Sequence, residues 1–162
     1  MSLEKLYGTR PDMLPRSLVK LTLVDEGSGR ARKWIGRPGV ELLALEVHLQ
    51  YEQESLRRFP RNSDASIDWA GTEVDLLAQS MDADTSRVSD AIQTFMPNEG
   101  DLIFMWGSVV IPSLRMTKET TLMRTSEILE TVPEFWIYSP KGRIMAEVSF
   151  SGALTVAKVP LS

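Results

Sequence analysis

The stretch 135-FWIYSPKGRIMAEVSFSGALTVAKV-159 decides the fold. Three apolar runs are separated by Ser139-Pro140-Lys141-Gly142 and by Ser151-Gly152. Pro presets its own φ, Gly tolerates positive φ and Ser bonds locally, so each separator reads as a turn. In the middle run Ile144, Ala146, Val148 and Phe150 fall on one face, the period of two that a pleated strand imposes. Strands over 135–138, 143–150 and 153–159, joined by reversals, make an antiparallel meander at the C-terminal end.

Working backwards, residues 102–111 are a nearly continuous apolar run ended by Pro112, as a strand buried on both faces requires. Residues 120–124 read as a further strand and 126–131 as a short helical turn. Upstream lie two segments with helical spacing. Thr72 can cap the first, with Val74, Leu77, Ala78 and Met81 as its stripe. Asp84 or Thr85 can cap the second, with Val88, Ala91, Ile92 and Phe95. Together they predict a central two-helix hairpin. In residues 40–51 the positions Leu43, Leu45, Val47, Leu49 and Tyr51 alternate with polar ones, which predicts a half-buried strand. Residues 52–62 read as loop and 66–69 as a short strand. Residues 17–24 and 31–35 flank the turn Glu26-Gly27-Ser28-Gly29 and predict a first hairpin. The expected fold is α+β: a single domain over 1–162, a mostly antiparallel sheet, the two-helix hairpin on one face and the C-terminal meander.

A chain of 162 residues with 43% hydrophobic and 25% charged residues has the composition of one globular domain. It holds no cysteine, which removes disulfides, thiolate metal sites and cysteine nucleophiles. No apolar run approaches the roughly 18 residues of a membrane span, and the first residues carry no secretory pattern. A cytoplasmic location without membrane contact is the expectation.

Charge supplies the one anomaly. Residues 62–101 contain Asp64, Asp68, Glu73, Asp75, Asp82, Asp84, Asp90, Glu99 and Asp101 against Arg87 alone, a net charge of −8 in a chain of net −4. Such a zone speeds encounter with a basic partner and repels nucleic acid. Helix capping and solvation account for part of it, since carboxylates near helix N-termini are stabilising in themselves. The candidate partner-binding set is Asp64, Asp68, Trp69, Glu73, Asp75, Asp82, Asp84 and Asp90, with Trp69 as an aromatic anchor.

Other chemistries are poorly served. Residues 75–95 approximate a helix-turn-helix, but the reading helix offers Arg87 against Asp84 and Asp90, so DNA recognition through it is not expected. Arg30, Arg32 and Lys33 beside Trp34, and Arg57, Arg58 and Arg61 around Phe59, are short basic stretches of the kind that bind RNA, yet both are flanked by acids. His48 is the only histidine, with Glu46 two residues away; a catalytic dyad or triad there needs a serine and a carboxylate from elsewhere. Asp82-Ala83-Asp84 begins like a calcium loop but lacks its glycine and later ligands. No phosphate loop, nucleophile elbow or dinucleotide fingerprint occurs, and no metal or cofactor is expected. The leading functional expectation is a non-enzymatic protein-binding domain with an acidic helical surface, such as an immunity or inhibitor protein against a basic toxin or nuclease. The alternatives are a carboxylate-based enzyme or small-ligand protein with a pocket between sheet and helices, and an oligomeric assembly component.

Overall fold

A computed structural model describes residues 2–27, 29–70 and 75–161. In chain order the elements are α1 (Leu3–Leu6), β1 (Val19–Glu26), β2 (Gly29–Gly36), β3 (Val40–Leu42) and α2 (Leu45–Glu54). They continue with β4 (Leu76–Ser80), α3 (Thr85–Phe95), β5 (Asp101–Trp106), β6 (Leu114–Thr117), α4 (Lys118–Thr131), β7 (Phe135–Ser139), β8 (Ile144–Val148) and β9 (Leu154–Lys158). The chain is α+β, with antiparallel pairing throughout its described ladders.

The strands β3 to β9 form one seven-stranded sheet in the order β3-β6-β5-β7-β8-β9-β4, while β1 and β2 form a separate two-stranded arm. The meander β7-β8-β9 follows the alternation of its sequence. Phe135, Ile137, Ile144, Ala146, Val148, Leu154 and Val156 join one core with Val88, Ile92 and Ile128 of the helices α3 and α4. Trp136, Tyr138, Met145 and Val159 point the other way and join Leu43, Leu56, Phe59 and Ile67. The sheet is therefore covered on both faces, by α3 and α4 on one and by α2 with the 55–70 loop on the other. Among the described residues, no helix is long and apolar enough to cross a membrane.

Several elements differ from the sequence expectation. The predicted strand over 40–51 is a three-residue strand followed by helix α2. Leu43, Val47 and Tyr51, spaced by four, satisfy a period of two and a helical stripe alike; Leu, Glu and Gln then favour the helix. The expected first helix of the central pair is corrected at 76–80 to the strand β4, which pairs with β9. Of its supposed stripe, Leu77 and Ala78 pack partly buried against the core, while Met81 is 87% exposed. The open side of β9 captures this segment, and tertiary pairing overrides its helical spacing. Thr72 and Val74 lie outside the described residues. Two helices do pack together on one face, but they are α3 and α4, which are not consecutive in the chain.

The expected strand over 120–124 is corrected to helix and the helical turn expected over 126–131 is its continuation: Lys118–Thr131 is one helix. Its β-branched threonines suggested a strand. Thr117 caps it by accepting from the Thr120 amide at 3.1 Å. The Thr121 and Thr125 hydroxyls donate to carbonyls four residues back at 2.9 and 2.8 Å, so their polar atoms are satisfied while the helix face is buried. Residues 66–69 form only an isolated bridge, Ile67 with Arg61. Beyond Trp106 the apolar run leaves the sheet, and the strand after Pro112 is β6.

Candidate functional site

The sheet separates the acidic residues into two groups. Asp82, Asp84 and Asp90 belong to the β4–α3 junction. Asp84 occupies the N-cap of α3, accepting from the Arg87 amide at 2.8 Å. The Arg87 guanidinium bridges Asp82 and Asp84 at 3.3 and 3.4 Å. Asp90, two helical positions past Val88, faces solvent at the rim of a groove of about 270 Å³ between β4 and α3. The groove is lined by Ala78, Ala91, Phe95 and Leu154, with Gln79, Ser80, Arg87 and Thr94 beside Asp90. Because β4 is the last strand of the sheet, this groove opens beside a strand edge that, among the described residues, bears no further strand.

Asp75 precedes β4 and shares a recess with Arg143 and Lys158; its carbonyl accepts from the Lys158 amide at 3.0 Å. Glu73 lies outside the described residues. Asp64, Asp68 and Trp69 sit with the 55–70 loop that covers the opposite face of the sheet. Asp64 accepts from the Ser66 hydroxyl at 2.6 Å and the Ser66 amide at 3.0 Å, which hold its carboxyl below the ordinary range. The Asp68 amide donates to Pro60 at 2.8 Å. Trp69 is half-buried and packs edge-on against Phe59 at 5.4 Å. It is thus an internal anchor for the loop.

That anchoring runs through Glu147 of β8, only 4% exposed. One carboxylate oxygen accepts from the Ile67 amide and the Trp136 indole, both at 2.8 Å; the other accepts from the Trp69 indole at 3.0 Å. Arg61 lies over the Trp136 ring at 5.2 Å and interacts with the charges of Glu52, Glu147 and Glu134. The sequence does hold a signal for this group: Glu147 is the only charge in an otherwise apolar strand.

A second polar cluster lies nearby. His48 on α2 is buried; its Nδ1 meets the Ser113 hydroxyl at 2.6 Å and its Nε2 lies 3.4 Å from Glu52. Tyr7 packs on the imidazole at 4.8 Å, donates to the Leu43 carbonyl at 2.7 Å and accepts from the Ser113 amide at 2.9 Å. Glu52 also takes a hydrogen bond from Arg57 at 2.9 Å. The His48 hydrogen bond, then that from Arg57, outweigh burial and hold the Glu52 carboxyl at about 2. The serine and carboxylate missing from the sequence neighbourhood of His48 are therefore Ser113 and Glu52, while Glu46 is exposed. They line a cavity of about 120 Å³ with Arg61 and Trp136. Ser113 is only 1% exposed. Its bonds tie α2, the N-terminal segment and the start of β6 together.

Among the described residues, no three His, Cys, Asp or Glu side chains are grouped to hold a metal ion. The helix-turn-helix resemblance also ends here, because its first element is the strand β4. No family model matches the chain, and no curated protein matches it in sequence.

Proposed function

We propose that this chain is a protein-binding domain that receives an extended, basic segment of another protein at the β4–α3 edge. The observation that carries the reading is the apolar groove beside the terminal strand β4, with Asp90 on its rim and with Asp82 and Asp84 held beside it by Arg87, which also lines it. An exposed sheet edge binds an extended chain by main-chain pairing, and adjacent pockets and charges select its side chains. Met81 adds a large apolar contact at the end of β4. Carboxylates around the groove steer a cationic segment in and disfavour nucleic acid. An inhibitor or immunity role against a basic toxin, such as a cationic nuclease, fits this surface.

The test uses a labelled peptide of alternating lysine and valine, with a glutamate–valine peptide as control. The lysine peptide binds, slows hydrogen exchange at β4 amides and loses at least about tenfold in affinity when salt shortens the Debye length severalfold. Asp82→Asn with Asp90→Asn weakens it comparably. Equal binding of both peptides, or protection confined to another element, overturns the proposal.

A second reading, a small-ligand site between sheet and helix, is favoured by the cavity that His48, Glu52, Arg61 and Ser113 line. At about 120 Å³ it has room for roughly four waters or a ligand of similar bulk. Ligand-induced shifts centred on His48, Glu52, Arg61 and Ser113 in a fragment screen by NMR support it, and their absence removes it.

A further inference from the structure

The β1–β2 arm is unlike the rest of the molecule. Two strands in water are marginal without a covering surface, yet Leu21 and Leu23 on β1 are 42% and 58% exposed. The pairing register puts Leu21 opposite Trp34, Leu23 opposite Arg32 and Asp25 opposite Arg30, so these six share one face of the arm. Leu21, Leu23 and Arg32 line a recess on it. Among the described residues it is the root of the arm that packs on the core. Leu18, Val19 and Trp34 pack into the core, Arg16 lies over Trp34 at 5.1 Å, and Ser17 donates to Glu127.

The charge of the arm is opposite to that of the β4–α3 edge. Residues 16–37 hold six basic side chains against Asp25 and Glu26, net +4; on the leucine face itself Arg30 and Arg32 stand against Asp25, which pairs with Arg30 at 3.4 Å. Residues 76–95, from β4 through α3, hold Asp82, Asp84 and Asp90 against Arg87, net −2. The topology keeps the two apart. The arm runs directly into β3 at one end of the seven-stranded sheet, and β4 is at the other. Six inter-strand spacings of about 4.8 Å put the edges roughly 29 Å apart. Each surface is apolar and charged, each lacks a cover within the described chain, and the two are complementary in sign.

We propose that the basic arm of one copy docks on the β4–α3 edge of a second copy, head to tail. This rests on the reading of that edge as a receptor for basic segments and names its partner. The contact is heterologous, so it propagates into a ring or an open chain. A foreign basic partner competes with it for the same edge.

Sedimentation velocity of the whole chain tests it, at roughly 20 and 300 mM NaCl. The expected result is concentration-dependent association at low salt that reverts to monomer at high salt. Arg30→Gln with Arg32→Gln leaves the edge intact and lowers the arm from +4 to +2; Asp82→Asn with Asp90→Asn leaves the arm intact and weakens the edge. Each double variant alone associates at least about tenfold more weakly, equivalent to about 1.4 kcal/mol. Mixed in equal amounts they form a one-to-one complex that stops growing, because only one competent arm meets one competent edge. All four substitutions fall on exposed side chains, and circular dichroism confirms that the variants fold. Monomeric wild type at low salt, association indifferent to the arm variant, or failure of the mixture to pair overturns this inference. If the lysine peptide still binds the β4 edge in that event, the receptor reading survives; if the peptide fails as well, both fall.

Discussion

Replacing Glu147 by Gln tests whether one buried carboxylate holds the 55–70 loop to the sheet. The substitution preserves shape and removes charge. Two N–H groups converge on one carboxylate oxygen and the Trp69 indole on the other. With the amide oxygen facing Ile67 and Trp136, the new NH₂ confronts the Trp69 N–H, so one buried donor loses its partner. That costs about 1–3 kcal/mol, and the two surviving bonds weaken because they are no longer charge-assisted. The expected loss is about 2–4 kcal/mol, which for a chain of this length lowers Tm by roughly 5–15 °C. Urea unfolding followed by circular dichroism measures it. Trp69→Phe removes the same bond from the other side, so the double variant must be less destabilised than the sum of the singles, by about 1 kcal/mol. A Glu147→Gln protein within about 0.5 kcal/mol of wild type, or strictly additive losses, refutes the account.

Acid unfolding should carry the signature of Glu52, whose carboxyl moves from an ordinary 4.5 to about 2 on folding. A depressed folded value contributes stability above the unfolded pKa that disappears as pH falls from 4.5 to about 2, so Glu52→Gln flattens the stability profile in that window. Lys118 is buried with its ammonium donating to the Gln93 and Met96 carbonyls at 3.3 and 2.8 Å and to Asn98 at 2.8 Å. Lys118→Met should cost about 2–3 kcal/mol in urea unfolding, because the last carbonyls of α3 lose both a charged donor and a favourable dipole contact. Asp84→Ala should cost about 1 kcal/mol by the same measurement through loss of the α3 cap.

The meander was legible because both of its faces are buried by alternating side chains, and its turns carry Pro and Gly. The α3 helix was legible from Asp84 and the stripe of Val88, Ala91 and Ile92. Other segments were ambiguous for physical reasons. Leu43, Val47 and Tyr51 satisfy two periods at once, so propensity and the neighbouring sheet decide between them. Leu76–Ser80 becomes a strand because β9 offers it a ladder, a contact nearly eighty residues away in sequence that no local window contains. The acidic zone is a sequence neighbourhood that the sheet divides: Asp90 rims a groove, with Asp82 and Asp84 held beside it by Arg87, whereas Asp64 and Trp69 stabilise a loop on the other face. Glu147 could be singled out as a lone charge in a buried strand. The approach of Ser113 to His48, 65 positions apart, could not.

A terminal strand is a hazard as well as an opportunity, because its unpaired backbone recruits any exposed strand. Between its ends β4 has no charged residue, and the acids gather at its flanks and across the groove. Such an arrangement would act on incoming strands less by blocking the backbone than by selecting on sign, repelling acidic ones. A simple guard and a receptor therefore respond oppositely to neutralisation. If the carboxylates only guard, Asp82→Asn with Asp90→Asn increases self-association at low salt. If they receive a basic segment, the same variant decreases it, and added salt suppresses the wild-type contact. The proposed arm-to-edge contact requires the second outcome, so the direction of one measured change separates solubility from recognition at this edge.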